Sequence, residues 1–163
     1  MNVSEIAARM IAYSNGDLHR INHLMKVYAY AKTIGECEKL DSKTQTVLEV
    51  AAIVHDIAIP LCLEKYGSSD GPYQEAEGAV LAAEFLDGCG CSDELKDRVA
   101  FLVGHHHTLK GITGPDYQIL VEADFLVNAD EHHLSQDTIR HMMDSVFRTD
   151  TGIALLKTMY SLA

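Results

Sequence analysis

The residues of this chain that could do chemistry are nine histidines, His19, His23, His55, His105, His106, His107, His132, His133 and His141, and a few carboxylates on apolar stripes. Asp124 is the clearest of these. It follows Leu120 by four residues and precedes Val127 by three, so it shares their helix face. An ionised carboxylate there is costly to desolvate without a partner. No basic residue lies three or four positions away, so the partner is a metal ion, a distant Arg or Lys, or a capping contact. His55-Asp56 ends the nearly continuous apolar run Leu48–Val54, and both groups need partners in one low-dielectric place. His106 continues the stripe Leu95, Val99, Leu102, with His105 three residues after Leu102. A triple histidine at a helix end reads either as a metal site or as a solvated cap favoured by the helix dipole. His19 and His23 form an i,i+4 pair, which can clip an ion and is also common on ordinary surfaces. His132, His133 and His141 sit among charged neighbours and read as surface.

Taken together the set is more specific than its parts. Helical folds build metal sites by converging side chains from separate helices. Imidazole nitrogens with carboxylate oxygens and no thiolate suit Mn, Fe, Zn, Co or Mg. The four cysteines, Cys37, Cys62, Cys89 and Cys91, match no zinc-knuckle or CxxC spacing and read as reduced thiols.

The elements that must position these groups read as helices throughout. Residues 2–14 are a short amphipathic segment ended by Ser14-Asn15-Gly16. Asp17 caps a helix to about Gly35, and Asp41 or Ser42 caps one that stops near Ala58, ahead of Pro60. Residues 60–73 read as a mobile loop, and further helices cover about 73–87, 92–103, 116–129, 135–148 and 151–161. Period-two alternation is nowhere sustained. The fold class is all-α, seven or eight helices around one core, with 1–163 as a single domain.

With 13 Lys+Arg against 24 Asp+Glu the formal charge is −11, and no basic cluster exists. That argues against nucleic acid as the main partner, while bound cations could still bring in a small anionic substrate. No window of 18 uninterrupted apolar residues occurs, which argues against a membrane span. The start of the chain lacks a signal-peptide pattern, so the expected location is the cytoplasm.

The ordered set His23 in HLMKVYAYA, His55-Asp56 in LEVAAIVHDI, the histidine pair in VAFLVGHHH and Asp124 in VEADFLVNA resembles the HD-domain superfamily of metal-dependent phosphohydrolases, over about residues 17–130. GHHHT followed by DYQILVEADFLVN is similar to small single-domain bacterial members. The resemblance implies an HD-type helical domain in which His23, His55, Asp56 and Asp124 bind a divalent metal. In binuclear relatives Asp56 would bridge to a second ion held by His105, His106 and a middle-helix histidine. Counting back four from Gly78 gives Gln74, an amide, at that last position, with Glu77 one turn on as a substitute. One firmly bound ion is therefore expected, and a second is in doubt.

The implied reaction is attack on phosphorus by a metal-activated water. The substrate would be a small phosphoester or nucleotide, with Asp56 in the catalytic centre. Lys26, one turn after His23, reads either as a phosphate contact or as a snorkelling surface lysine; Arg20 and Lys110 are further candidates. The loops 67–72 and 111–115 could gate the pocket. Two other readings stand beside hydrolysis: a non-catalytic module that holds metal and nucleotide as a signal, and a di-iron oxygenase. The C-terminal stretch with Ile153, Leu155, Leu156, Met159 and Tyr160 could pack on the core or against a second copy as a homodimer.

Overall fold

The structure is a computed structural model that describes residues 2–162. It contains helices α1 (Val3–Tyr13), α2 (Leu18–Cys37), α3 (Ser42–Val54), α4 (Ile59–Tyr66), α5 (Gly71–Asp87), α6 (Asp93–Val103), α7 (Pro115–Glu131), α8 (Gln136–Ser145) and α9 (Asp150–Met159), and no strand among the described residues. Only the turn 55–58 separates α3 from α4. Counted as one broken rod, they bring the total to eight.

Local sequence sets the helix starts. Asn2 and Glu5 form a capping box on α1. The side chain of Asp17 accepts from the Arg20 amide, that of Asp41 from Lys43 and Thr44, and that of Ser92 from Leu95. α4 is a correction to the expected loop over 60–73. Pro60 falls in its first turn, where the missing N–H costs nothing, so it opens α4; α3 itself ends at Val54, short of the expected stop near Ala58, and residues 55–58 form a turn. Only residues 67–70 remain as the connection, begun by Gly67 at φ 67°, a left-handed cap that favours glycine.

α3 is the central rod. Every residue from Val47 to Val54 is buried, and α1, α2, α6 and α7 pack around it. By length and composition the stretch Ser42–Tyr66 would suffice to cross a membrane, but 72% of its apolar window is buried inside the fold. α5 pairs with α6, where a side chain on Gly78 would place Cβ 2.8 Å from Val103 Cγ1. α9 packs against α7 and α2: Leu156 is buried, and the Tyr160 hydroxyl donates to the Leu126 carbonyl at 2.8 Å. The C-terminal apolar residues thus cover this chain's own core, with Met159 left exposed.

Buried charges away from the histidines each have partners. Arg98 grips Asp116 with two hydrogen bonds of 2.8 and 2.7 Å. Glu122 accepts from the Arg148 and Thr149 amides at 2.7 and 3.1 Å, closing the entry to α9. Glu49 is held by Lys32 and Gln45. These contacts fix α6 to α7, α7 to α9 and α2 to α3, the frame around the histidines.

Candidate metal centre

Four segments meet at one point: α2 brings His23, the turn after α3 brings His55 and Asp56, the turn after α6 brings His106 and His107, and α7 brings Asp124. His23 Nε2 lies 3.3 Å from each of His55 Nε2, Asp56 Oδ2 and Asp124 Oδ1. His55 Nε2 lies 3.5 Å from Asp56 Oδ1 and from Asp124 Oδ1. His106 Nε2 lies 3.6 Å from Asp56 Oδ1.

The other ring nitrogen of each inward histidine is tied down. His23 Nδ1 meets Glu131 Oε2 at 2.8 Å, His55 Nδ1 meets the Ala52 carbonyl at 2.9 Å, and His106 Nδ1 meets the Val103 carbonyl at 2.8 Å. With the proton on Nδ1, every Nε2 presents a lone pair to the carboxylates, the arrangement found around metal-bound histidines. Two lone-pair nitrogens 3.3 Å apart, with two carboxylates beside them, call for a cation or for shared protons. Bonds of about 2.0–2.2 Å to a common ion would separate the ligand atoms by about 3–3.5 Å, which fits these spacings. Burial is nearly complete at His55, while the Asp56 and Asp124 side chains keep 12% and 13% exposure, so solvent touches the centre.

The electrostatics agree. Burial draws the His55 pKa down, but Asp56 and Asp124 outweigh it and raise it to about 9. Burial pushes Asp56 up, but His55 and His106 hold it at about 2. Asp124 is likewise held well below the usual carboxylate range by His23 and His55, against its burial. This is a site of concentrated negative charge that stabilises any positive charge placed among its members.

The remaining sequence candidates fall elsewhere. His105 faces outward, its Nδ1 2.7 Å from the Phe101 carbonyl and its ring stacked on Phe101. His107 joins Asp56 and His106 instead. The cause is the turn over 104–107, which breaks the helical phase of α6 and swings successive side chains to new directions. Glu75 on α5 fixes that turn, accepting from the His107 amide at 3.0 Å and the Thr108 hydroxyl at 2.9 Å. Glu77 is drawn away by Lys65 and by the Tyr66 hydroxyl, both at 2.5 Å, so it does not stand in for a ligand. Gln74 is buried, its amide nitrogen bonded to the Ser69 carbonyl at 2.7 Å and its Oε1 without a partner. His106 Nε2 is the other orphaned buried atom in this region. Lys26 is not aimed at the centre; its ammonium pairs with Glu131 Oε1 at 3.1 Å. Arg20 pairs with Asp17, and His19 is exposed and belongs to neither ligand group.

Two contacts escaped the sequence reading: Glu131 on His23, and Asn128, whose amide donates to Asp124 Oδ1 at 2.8 Å. The signal was present as spacing, since Asp124, Asn128 and Glu131 fall at i, i+4 and i+7 on one face of α7.

A helical bundle that gathers imidazoles and carboxylates from separate helices onto one point has the form of a metal-binding helical domain. The comparisons agree. A family model of the HD domain matches residues 20–142, and the chain belongs to the HD domain family. In fold it is similar to the crystal structure of a predicted HD superfamily hydrolase from an uncultured Thermotogales bacterium, at 24% identity and a TM-score of 0.71, covering 97% of this chain and 84% of that one. A search of curated proteins found no match.

Proposed function

We propose that the protein is a metal-dependent phosphohydrolase that acts on a small phosphoester or nucleotide. The observation that carries this reading is the convergence of His23, His55, Asp56 and Asp124, with their free lone pairs 3.3–3.5 Å apart and their outer nitrogens already bonded. These four residues would hold a divalent cation. When bound, such an ion supplies Lewis acidity, lowering the pKa of a water towards about 7 in favourable zinc sites and offsetting charge on phosphoryl oxygens.

The chain's own residues divide the remaining work. Asp56 turns Oδ2 to His23 and Oδ1 to His55 and His106, so one carboxylate serves both sides of the centre. His106 and His107, with Asp56, form a second ligand group. His107 keeps an exposed edge, yet the desolvation of its inner side and the neighbouring His106 lower its pKa to about 4, so this ring is a neutral lone-pair donor at pH 7. The second group would take a more weakly held ion, because Glu77 is engaged elsewhere and the residue at the middle-helix position is an amide. That weak second group also disfavours di-iron oxygen chemistry, which needs two firmly ligated irons.

The test combines metal analysis of the purified protein with a screen of phosphomonoesters and nucleotides under Mn²⁺, Co²⁺, Zn²⁺ and Mg²⁺. Turnover that depends on the cation and disappears in Asp56→Ala supports the reading. Cation and nucleotide binding without turnover under every metal would favour a signalling module instead.

A further inference from the structure

We infer that Glu131, held by Lys26, is the positioning residue that makes His23 a metal ligand. The inference rests on the cation centre proposed above. Glu131 is the last residue of α7, two helical turns beyond Asp124, and its side chain is only 10% exposed. Its two oxygens have separate tasks. Oε2 accepts from His23 Nδ1 at 2.8 Å, and Oε1 accepts from the Lys26 ammonium at 3.1 Å. Lys26 and His23 are three residues apart on α2, so one carboxylate clamps two successive turns of that helix.

The chemistry follows from the donor count. Imidazole has one proton to share between two nitrogens, and a carboxylate at Nδ1 keeps it there, leaving Nε2 with its lone pair facing the centre. Of the three inward histidines, His55 and His106 use main-chain carbonyls from their own turns for this purpose. Those acceptors come with the helix ends on which the rings sit. His23 sits in the second turn of α2, where the neighbouring carbonyls are engaged in the helix, and so depends on a side chain from another element. Of the three, His23 alone has a charged orienting partner, which also makes its ring the more basic donor. Lys26 completes the arrangement by occupying the oxygen that Glu131 could otherwise turn to His23 in a second rotamer. Its own ammonium is half exposed, so it can serve this purpose without being desolvated.

Glutamine at 131 separates orientation from charge. It has one acceptor oxygen in place of two, and its NH₂, if turned to His23, would donate to the Nδ1 lone pair and send the ring proton to Nε2, the wrong tautomer for a ligand. The experiment titrates Mn²⁺ into chelator-stripped protein for wild type, Glu131→Gln, Glu131→Ala, Lys26→Met and Asp56→Ala, and records the thermal midpoint of each with and without Mn²⁺. The expected result is a loss of about ten- to hundred-fold in Mn²⁺ affinity for both Glu131 variants, and a smaller loss in the same direction for Lys26→Met. The metal-free midpoints should stay close to wild type, while the rise in midpoint on adding Mn²⁺ shrinks. Mn²⁺ affinity within about twofold of wild type in Glu131→Ala would overturn the inference. So would a lowered metal-free midpoint with an unchanged Mn²⁺ response, which marks a merely structural ion pair. Wild-type Mn²⁺ binding in Asp56→Ala would instead overturn the cation centre itself.

Discussion

The three adjacent histidines after α6 have different fates, and the difference is testable side by side. His105 spends its Nδ1 on the Phe101 carbonyl and its ring face on Phe101, whereas His106 and His107 stand by Asp56. His105→Ala should leave cation affinity and turnover near wild type, measured by Mn²⁺ titration and the phosphatase screen. His106→Ala removes an orphaned nitrogen aimed at the centre and should lower turnover sharply. Equal effects from both substitutions would contradict the outward placement of His105 and the inward placement of His106. The inward groups that interrupt apolar runs were legible in the sequence, because a polar residue there is an anomaly that burial must explain: Asp124 on α7 and the His55-Asp56 pair just past the end of α3 are of this kind. The choice between His105 and His107 was not, since extrapolating a 3.6-residue period past Gly104 fails where the helix ends. Glu131 was hidden for a different reason: it stands in Asp130-Glu131-His132-His133, where a solvated face is the ordinary expectation.

At the level of elements, the close approach of α5 to α6 supports the same turn, through Glu75 and through Gly78 against Val103. Gly78→Leu would force a side chain into a space where even Cβ meets Val103 Cγ1 at 2.8 Å. Overpacking of this kind costs about 1–3 kcal/mol, and the expected outcome is a denaturation midpoint lowered accordingly, with cation response reduced as His106 and His107 shift. Most helix boundaries could be read from caps and glycines. α4 could not, because its eight residues carry Pro60 near the start and a glycine-rich continuation, a composition that signals a loop unless the proline is placed in a first turn. The consequence is structural: the connection after the His55-Asp56 turn is a short helix packed on α5, which leaves four residues of loop rather than fourteen.

Over the whole molecule, an acidic chain with charge −11 concentrates carboxylates and imidazoles in its interior, and that sets how stability varies with pH. For the metal-free protein the His55 pKa is raised to about 9 from about 6.5 in the unfolded chain. Its protonation therefore stabilises the fold fully below about pH 6.5, and that contribution is lost as pH rises through 9. Asp56 is lowered to about 2, so its contribution is present above about pH 4 and lost as pH falls through 2. His107, lowered to about 4, acts from the other side: it resists protonation in the fold, so stability falls as pH drops from about 6.5 to 4, and the chelated protein should show its highest thermal midpoint near pH 6.5. A bound cation takes the place of those protons, so its affinity rises with pH. The gap between loaded and chelated midpoints should widen from pH 6.5 to 9 in a calorimetric series; a constant gap would show that binding displaces no protons from these groups.

The proposed function requires that side chains distant in the sequence share one cation. An anomalous-scattering map from crystals grown with Mn²⁺ tests it directly. The expected result is one strong peak within about 2.0–2.3 Å of the Nε2 atoms of His23 and His55 and of carboxylate oxygens of Asp56 and Asp124. A map with no peak there, or with Mn²⁺ bound only among surface carboxylates, would contradict it.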